Sequence, residues 1–262
     1  SMGIQTFNES ILKVLQRRHT ARQAIEAFQN CRAAGFQNIS IDLMYGLPGE
    51  TLSTWQQDLD QALLLHPEHL SAYHLIYEED TVLWKLREQH KVEEADEDLS
   101  VSLFSTLIDR LTSEGYDHYE ISNFSLPGLY SRHNSSYWTE KKYLGCGPSA
   151  HSYNGVSRQW NVASLDTYIK GISAGTPVFE IEELDLYTRY NDFVITRIRT
   201  EWGMPLSKLR DEFGEKLYDY CLRMAAPHLK QGTLELVNDI LKLTRKGIFI
   251  SDGIMSDMLW TD

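Results

Sequence analysis

From Asn38 to Met44 apolar and polar residues alternate, with Ile39, Ile41 and Leu43 on one face and Ser40, Asp42 and Met44 on the other. A period of two predicts a strand. The apolar β-branched face suits a sheet packed under helices, and an Asp on the opposite face calls for a polar interior, a ligand or a partner. Gly46-Leu-Pro-Gly49 then forces a turn, because proline lacks an N–H and glycine tolerates positive φ. Such strand-to-helix turns carry ligand contacts in α/β sheets and barrels.

The same alternation reads Met2 to Phe7 as a short opening strand, and Leu70 to Tyr77 as a third one. Between them the period changes to that of a helix. Ile11, Leu12 and Leu15 mark a short helix within Phe7 to Gln16; it leads to the basic cluster Arg17-Arg-His19, which reads as a solvated loop. Thr20 and Gln23 have capping-box spacing before the apolar stripe Ala24, Ile25, Phe28 and Cys31, which ends at Gly35. Trp55, Leu59 and Leu63 give the inner side of a helix from Leu52 to Leu65, ended by Pro67. Strand, helix, strand, helix, strand is the order of right-handed crossovers in a parallel sheet.

The acidic run Glu93 to Asp98 opens a helix extending to Ser113, where negative charge favours the amino-terminal dipole over any metal role. Tyr116 to Ser122 alternates as a further strand. From Asn123 to Trp160 the pattern dissolves into a long Gly, Ser, Tyr and His-rich loop, a kind of segment that is commonly functional. Residues 185–262 read as a separate small domain after a larger one spanning 1–184: helices over Tyr187 to Thr200, Leu206 to Phe213 and Leu217 to Gln231, a hairpin near Leu234 to Leu243, and a closing helix after Ser251. That order is winged-helix-like. Its eleven Lys or Arg against twelve Asp or Glu lack the basic stripe of a DNA reader, so a lid or docking role is expected.

Composition sharpens this picture. The 262 residues are 42% hydrophobic, enough for one large domain and a small one. A formal charge of −12 disfavours nucleic-acid and anionic-membrane partners. No apolar run is long enough for a membrane span, and a cytoplasmic location is expected. Cys31, Cys146 and Cys221 are too far apart for a CxxC metal or cluster motif. The chain opens in mid-strand, and a preceding segment is expected.

Several stretches together resemble one family, the oxygen-independent coproporphyrinogen III oxidase-like radical SAM proteins, in its HemW branch of haem chaperones. They are Ser1 to Phe7, Leu15 to Thr20, Asn38 to Gly49, Tyr119-Glu-Ile-Ser-Asn-Phe124, His133-Asn-Ser-Ser-Tyr-Trp138 and Tyr143 to Ser152. Thr244-Arg-Lys-Gly247 and Ser251-Asp252 resemble its closing segment. The resemblance implies an α/β chain holding the second half of a partial βα barrel, followed by the winged-helix-like domain. The family carries a [4Fe-4S] cluster on a CxxxCxxC loop and binds S-adenosylmethionine; that loop is absent from this sequence, which is therefore expected to be inactive alone. Exposed half-barrel edges are expected to favour self-association.

By position, the resemblance places S-adenosylmethionine contacts on Gln5, Arg17, Asp42 and Ile76, with His151 nearby. An Arg17–Asp42 ion pair is the structural alternative. It makes His133 a candidate haem-iron ligand, with Tyr137 and Trp138 against the porphyrin, and His151 or Cys146 as next candidates. Read by residue type alone, His133 is a hydrogen-bonded loop histidine. The implied function is binding haem and passing it to an acceptor protein of unknown identity. The alternative is oxidative decarboxylation of coproporphyrinogen III in porphyrin biosynthesis; His-Asn-x-x-Tyr-Trp favours the chaperone branch.

Overall fold

The computed structural model describes residues 1–261, which divide into two compact units, Ser1–Ser131 and Arg132–Asp262. The boundary expected at 184/185 lies inside the second of them.

In the first unit the elements run β1 (Met2–Gln5), α1 (Glu9–Val14), α2 (Ala21–Ala33), β2 (Ser40–Tyr45), α3 (Leu52–Leu65), β3 (His69–His74), α4 (Val82–Glu88), α5 (Glu97–Ser113), β4 (Asp117–Glu120) and β5 (Asn123–Ser125). They build one open five-stranded sheet of order β1-β2-β3-β5-β4. The first three strands are parallel, as the crossover pattern requires, whereas β5 runs antiparallel to both β3 and β4. The expected strand over Tyr116 to Ser122 is therefore the first arm of a hairpin. Local signals hold each crossover helix: Thr20 and Gln23 form the expected capping box on α2, Thr51 and Thr54 another on α3, and Asp96 caps α5 by accepting from the Leu99 amide.

Pairing in register puts side chains of neighbouring strands on one face. Ile41, Leu70 and Phe124 form one such row, and Leu43 with Ala72 another; all are fully buried or nearly so. Trp55 and Leu59 of α3 and Leu103 and Leu107 of α5 are equally buried, and the Trp55 indole N–H donates to the Leu103 carbonyl at 3.0 Å. Ala62 and Asp58 face inward on α3, while Leu63 is only half-buried.

The second unit comprises α6 (Arg132–Trp138), β6 (His151–Tyr153), β7 (Ser157–Asn161), α7 (Leu165–Ser173), β8 (Phe179–Glu183), α8 (Leu186–Ile198), β9 (Met204–Pro205), α9 (Leu206–Gln231), β10 (Leu234–Val237), β11 (Ile240–Leu243), α10 (Arg245–Ile248) and α11 (Ser251–Met258). The expected long loop over Asn123 to Trp160 is thus corrected: it holds β5, α6, β6 and most of β7. Its strands are short and rich in Ser, Tyr and Asn, so their alternation is faint. β6, β7 and β8 form an antiparallel sheet, and β10, β11 and β9 a second one. The two helices expected over Leu206 to Gln231 are continuous except at Gly214, whose φ of 79° and ψ of 172° are not helical. The core of α8, α9 and α11 contains Tyr190, Phe193, Leu217, Cys221 and Met258, all about fully buried.

Candidate functional site

Beneath the helices, the opposite face of the five-stranded sheet is polar. Register aligns Gly3, Asp42, Ser71 and Asn123 across β1, β2, β3 and β5, and Ser40, His69 and Ser125 in a second row. Ser71 donates to Asn123 Oδ1 at 3.0 Å, and the Asn123 amide donates to Glu120 Oε2 at 2.5 Å. All three are buried. In the second row the Ser40 hydroxyl meets His69 Nδ1 at 2.8 Å, and His69 Nε2 meets the Tyr119 hydroxyl at 2.7 Å. Burial, aided by the chain's amino-terminal ammonium, pushes the His69 imidazole down to about 4, and burial pushes the Tyr119 phenol up to about 12. At neutral pH this is a neutral relay of one donor and one acceptor per ring.

Three of the expected cofactor residues meet at the open end of this face. A Cβ on Gly3 would lie 2.7 Å from Gln5 Nε2 and 3.5 Å from Arg17 Nη2, so both side chains fold over the bare glycine. A bulge between Gly3 and Gln5, with Gln5 at φ 71°, turns that side chain back. Asp42 stands opposite Gly3 in register, half-buried, and accepts from the Ser1 hydroxyl at 3.3 Å. The Arg17–Asp42 ion pair does not form: Arg17 Nη2 donates instead to the Gly3 carbonyl at 3.3 Å. Ile76 is two residues beyond the end of β3 and 71% exposed, since that strand stops at His74 and not at Tyr77.

The turn after β2 is tightly built. Glu50 accepts from the Gly46 and Leu47 amides at 2.7 and 3.2 Å, while its other oxygen is buried with no hydrogen-bond partner. Burial first, opposed by those two bonds, raises the carboxyl to about 7. Gly46 has φ 72°, and a Cβ there would lie 2.6 Å from His74 Nε2.

In the second unit, His133 and Tyr137 are one turn apart on α6 and both exposed, with His133 Nε2 3.0 Å from the Tyr137 hydroxyl. Their rings meet edge-on at 5.1 Å, and Tyr137 meets Tyr143 likewise at 4.9 Å. Trp138 is half-buried; the Arg199 guanidinium lies 4.2 Å from its ring centre, and its indole N–H has no hydrogen-bond partner. Glu140 fixes the chain after this helix through Arg197 at 2.9 Å and Lys208 at 3.0 Å. Burial works to raise the Glu140 carboxyl, but those bonds outweigh it and hold it below the usual range.

His151 lies elsewhere in this unit. It pairs with Trp160, which pairs with Glu180, so the three form one row across β6, β7 and β8. The imidazole stacks on the indole at 5.8 Å, beside a cavity of about 350 Å³. Gly145 needs its missing side chain here, because a Cβ would collide with the His151 backbone. The preceding loop is pinned by bonds from Gly147 N to the Tyr168 hydroxyl and from Asn161 Nδ2 to the Gly147 carbonyl, both 2.9 Å.

The three cysteines do not fit a cluster. Cys31 is half-buried on α2, Cys146 exposed in a loop and Cys221 buried in α9, and among the described residues no group of three or more His, Cys, Asp or Glu is placed to hold a metal. No described helix is long and apolar enough to cross a membrane.

Comparison with known proteins gives the class first. Residues 1–62 match the family model described as Radical SAM superfamily, and residues 184–250 the HemN C-terminal domain. The solved structure of coproporphyrinogen III oxidase (HemN) from Escherichia coli superimposes with a TM-score of 0.80 over 98% of this chain and 63% of that one, at 20% identity. Among curated proteins, the Lactococcus lactis protein named Heme chaperone HemW is 31% identical over 265 residues, which is 100% of this chain and 69% of the relative. The Mycobacterium tuberculosis protein of the same name is 32% identical over 99% of this chain and 65% of its own length. This chain belongs to the HemW family of radical SAM proteins. It spans about two thirds of the length of the curated relatives it matches.

Proposed function

We propose that this chain handles haem as the HemW proteins' name describes, taking it up for transfer to an acceptor, with His133 as the axial ligand. The observation that carries the reading is the exposed His133–Tyr137 pair on α6. A neutral imidazole is a good haem-iron ligand, and the phenol within 3.0 Å of Nε2 holds that nitrogen until the iron replaces it. Tyr137 and Tyr143 offer aromatic edges for the porphyrin, while one face of Trp138 is taken by Arg199. Trp138 thereby supports the helix that presents the ligand. The likeness to the oxidase, at 20% identity, concerns the fold, whereas relatives matching in sequence over nearly the whole of this chain include several that carry the chaperone name.

The polar face supports a second part of the proposal. Gln5, Arg17 and Asp42, gathered around Gly3, suit the hydroxyls and polar edges of the nucleoside of S-adenosylmethionine. When bound, that cofactor supplies a sulfonium that the wider superfamily uses for radical chemistry; these residues would bind and orient its nucleoside.

The test is a haemin titration followed at the Soret band, with His133→Ala and His151→Ala beside the parent chain. Saturable one-to-one binding lost in His133→Ala and kept in His151→Ala is expected. Equal binding by parent and His133→Ala would overturn the assignment of the ligand.

A further inference from the structure

The sheet of β6, β7 and β8 ends in a strand open for pairing. Leu184 N donates to the Val156 carbonyl at 2.9 Å and Val162 N to the Val178 carbonyl at 3.1 Å. In an antiparallel ladder, bonded and non-bonded pairs alternate. Val178, Glu180, Glu182 and Leu184 therefore turn their backbone groups toward β7, and Phe179, Ile181 and Glu183 turn theirs outward. All five residues of β8 are exposed.

The side chains along this edge also follow a pattern. Phe179 and Ile181, 43% and 55% exposed, lie on one face with Glu183. Glu180 and Glu182 lie on the other, beside Trp160 and Arg158 in register. Arg158 reaches Glu182 at 3.3 Å but also Asp192 at 3.4 Å, so its charge is shared between two carboxylates. Glu180, at the mouth of the cavity with Trp160, forms no ion pair among the described residues. An open edge bearing apolar side chains on one face and surplus carboxylates on the other is a template for strand addition.

We propose that β8 is a docking edge for an extended segment of a partner protein in which apolar and basic residues alternate. The segment would add as a fourth strand, bonding the outward backbone groups of Phe179, Ile181 and Glu183. Its apolar side chains would lie beside Phe179 and Ile181, and its basic ones beside Glu180 and Glu182. The cavity suits one long basic side chain, with an apolar stem against Val162 and Val178 and a cationic head between the Trp160 ring and Glu180. The charge on the edge decides the occupant: a second copy of β8 would set carboxylates against carboxylates.

The probe is a capped, fluorescein-labelled nonapeptide alternating arginine with valine and threonine, titrated against the full 262-residue chain by fluorescence anisotropy. Ile181→Pro removes one outward N–H and leaves the ladder to β7 intact, a change that an edge strand accepts. Ile181→Ala is the control that keeps the N–H. Expected is saturable binding, weakened at least tenfold in Ile181→Pro, within about threefold of the parent in Ile181→Ala, and weakened several-fold with a flatter salt dependence in Glu180→Gln/Glu182→Gln. Hydrogen exchange should slow at the Phe179, Ile181 and Glu183 amides when the peptide is present. Matching thermal midpoints of the variants exclude misfolding as the cause. The proposal is overturned if Ile181→Pro binds as the parent does, if the peptide with glutamate in place of arginine binds equally, if no binding saturates, or if sedimentation shows two copies paired through β8.

Discussion

His133 and Tyr137 face each other across one turn of α6, with the imidazole Nε2 and the phenol oxygen 3.0 Å apart. On the proposed ligation, this contact occupies the nitrogen that would bind the haem iron. Removing it by Tyr137→Phe leaves the aromatic ring in place and frees the ligand. A single neutral hydrogen bond contributes about 0.5–1.5 kcal/mol net, so haemin affinity is expected to rise about two- to tenfold, measured at the Soret band. An unchanged or weaker affinity would show that Nε2 is not the ligating atom.

Gly46 tests the turn that ends β2. Any side chain there meets both a positive φ and the His74 ring, whose nitrogens bond the Leu75 carbonyl at 2.9 Å and the Ser100 hydroxyl at 3.0 Å. Both ring nitrogens are held, so a shift of the ring costs those contacts. Gly46→Ala is expected to destabilise the fold by about 2–4 kcal/mol, combining left-handed backbone strain with overpacking. Urea unfolding measures it, and a loss within about 0.5 kcal/mol would mean that the turn relaxes freely.

Where the sequence carried a clear period, the elements were legible. The alternation around Asp42 and the stripe of Trp55 and Leu59 placed β2 and α3, because one-sided burial imposes the period directly. The antiparallel return of β5 was not readable, since three residues carry no signal of direction. α6 was missed although His133 and Tyr137 have helical spacing, and β8 was missed although Phe-Glu-Ile-Glu alternates. Gln5, Arg17 and Asp42 were legible as a group through resemblance. Ser71, Asn123, Glu120 and the His69–Tyr119 relay were not, because the register of strands far apart in sequence creates them.

Asp42→Asn separates the proposed cofactor binding from folding. Its carboxylate is half-buried, and its bond to the Ser1 hydroxyl is long at 3.3 Å. Asp42→Asn is therefore expected to leave the thermal midpoint within about 2 °C, since isolated surface polar changes stay within ±0.5 kcal/mol. Affinity for S-adenosylhomocysteine, read by equilibrium dialysis, should fall at least tenfold through loss of a charge-assisted bond to ribose. A large drop in stability with unchanged affinity would assign Asp42 to the fold alone.

Glu50 gives the chain a stability that depends on pH in a defined direction. Burial raises its folded carboxyl to about 7, while the unfolded chain titrates near the ordinary value of 4.5. Between these values the folded state holds more protons than the unfolded one, so stability declines as pH rises. The contribution is fully present below about 4.5 and lost as pH passes through about 7. At about 1.36 kcal/mol per pH unit, the decline is on the order of 3 kcal/mol. Glu50→Gln keeps an oxygen for the Gly46 and Leu47 amides without a charge to bury. The variant should match the parent near pH 4.5 and exceed it by that amount at pH 8 in urea unfolding. Parallel pH profiles for the two proteins would show that the carboxylate ionises in the fold without penalty, and that water reaches the oxygen left without a partner.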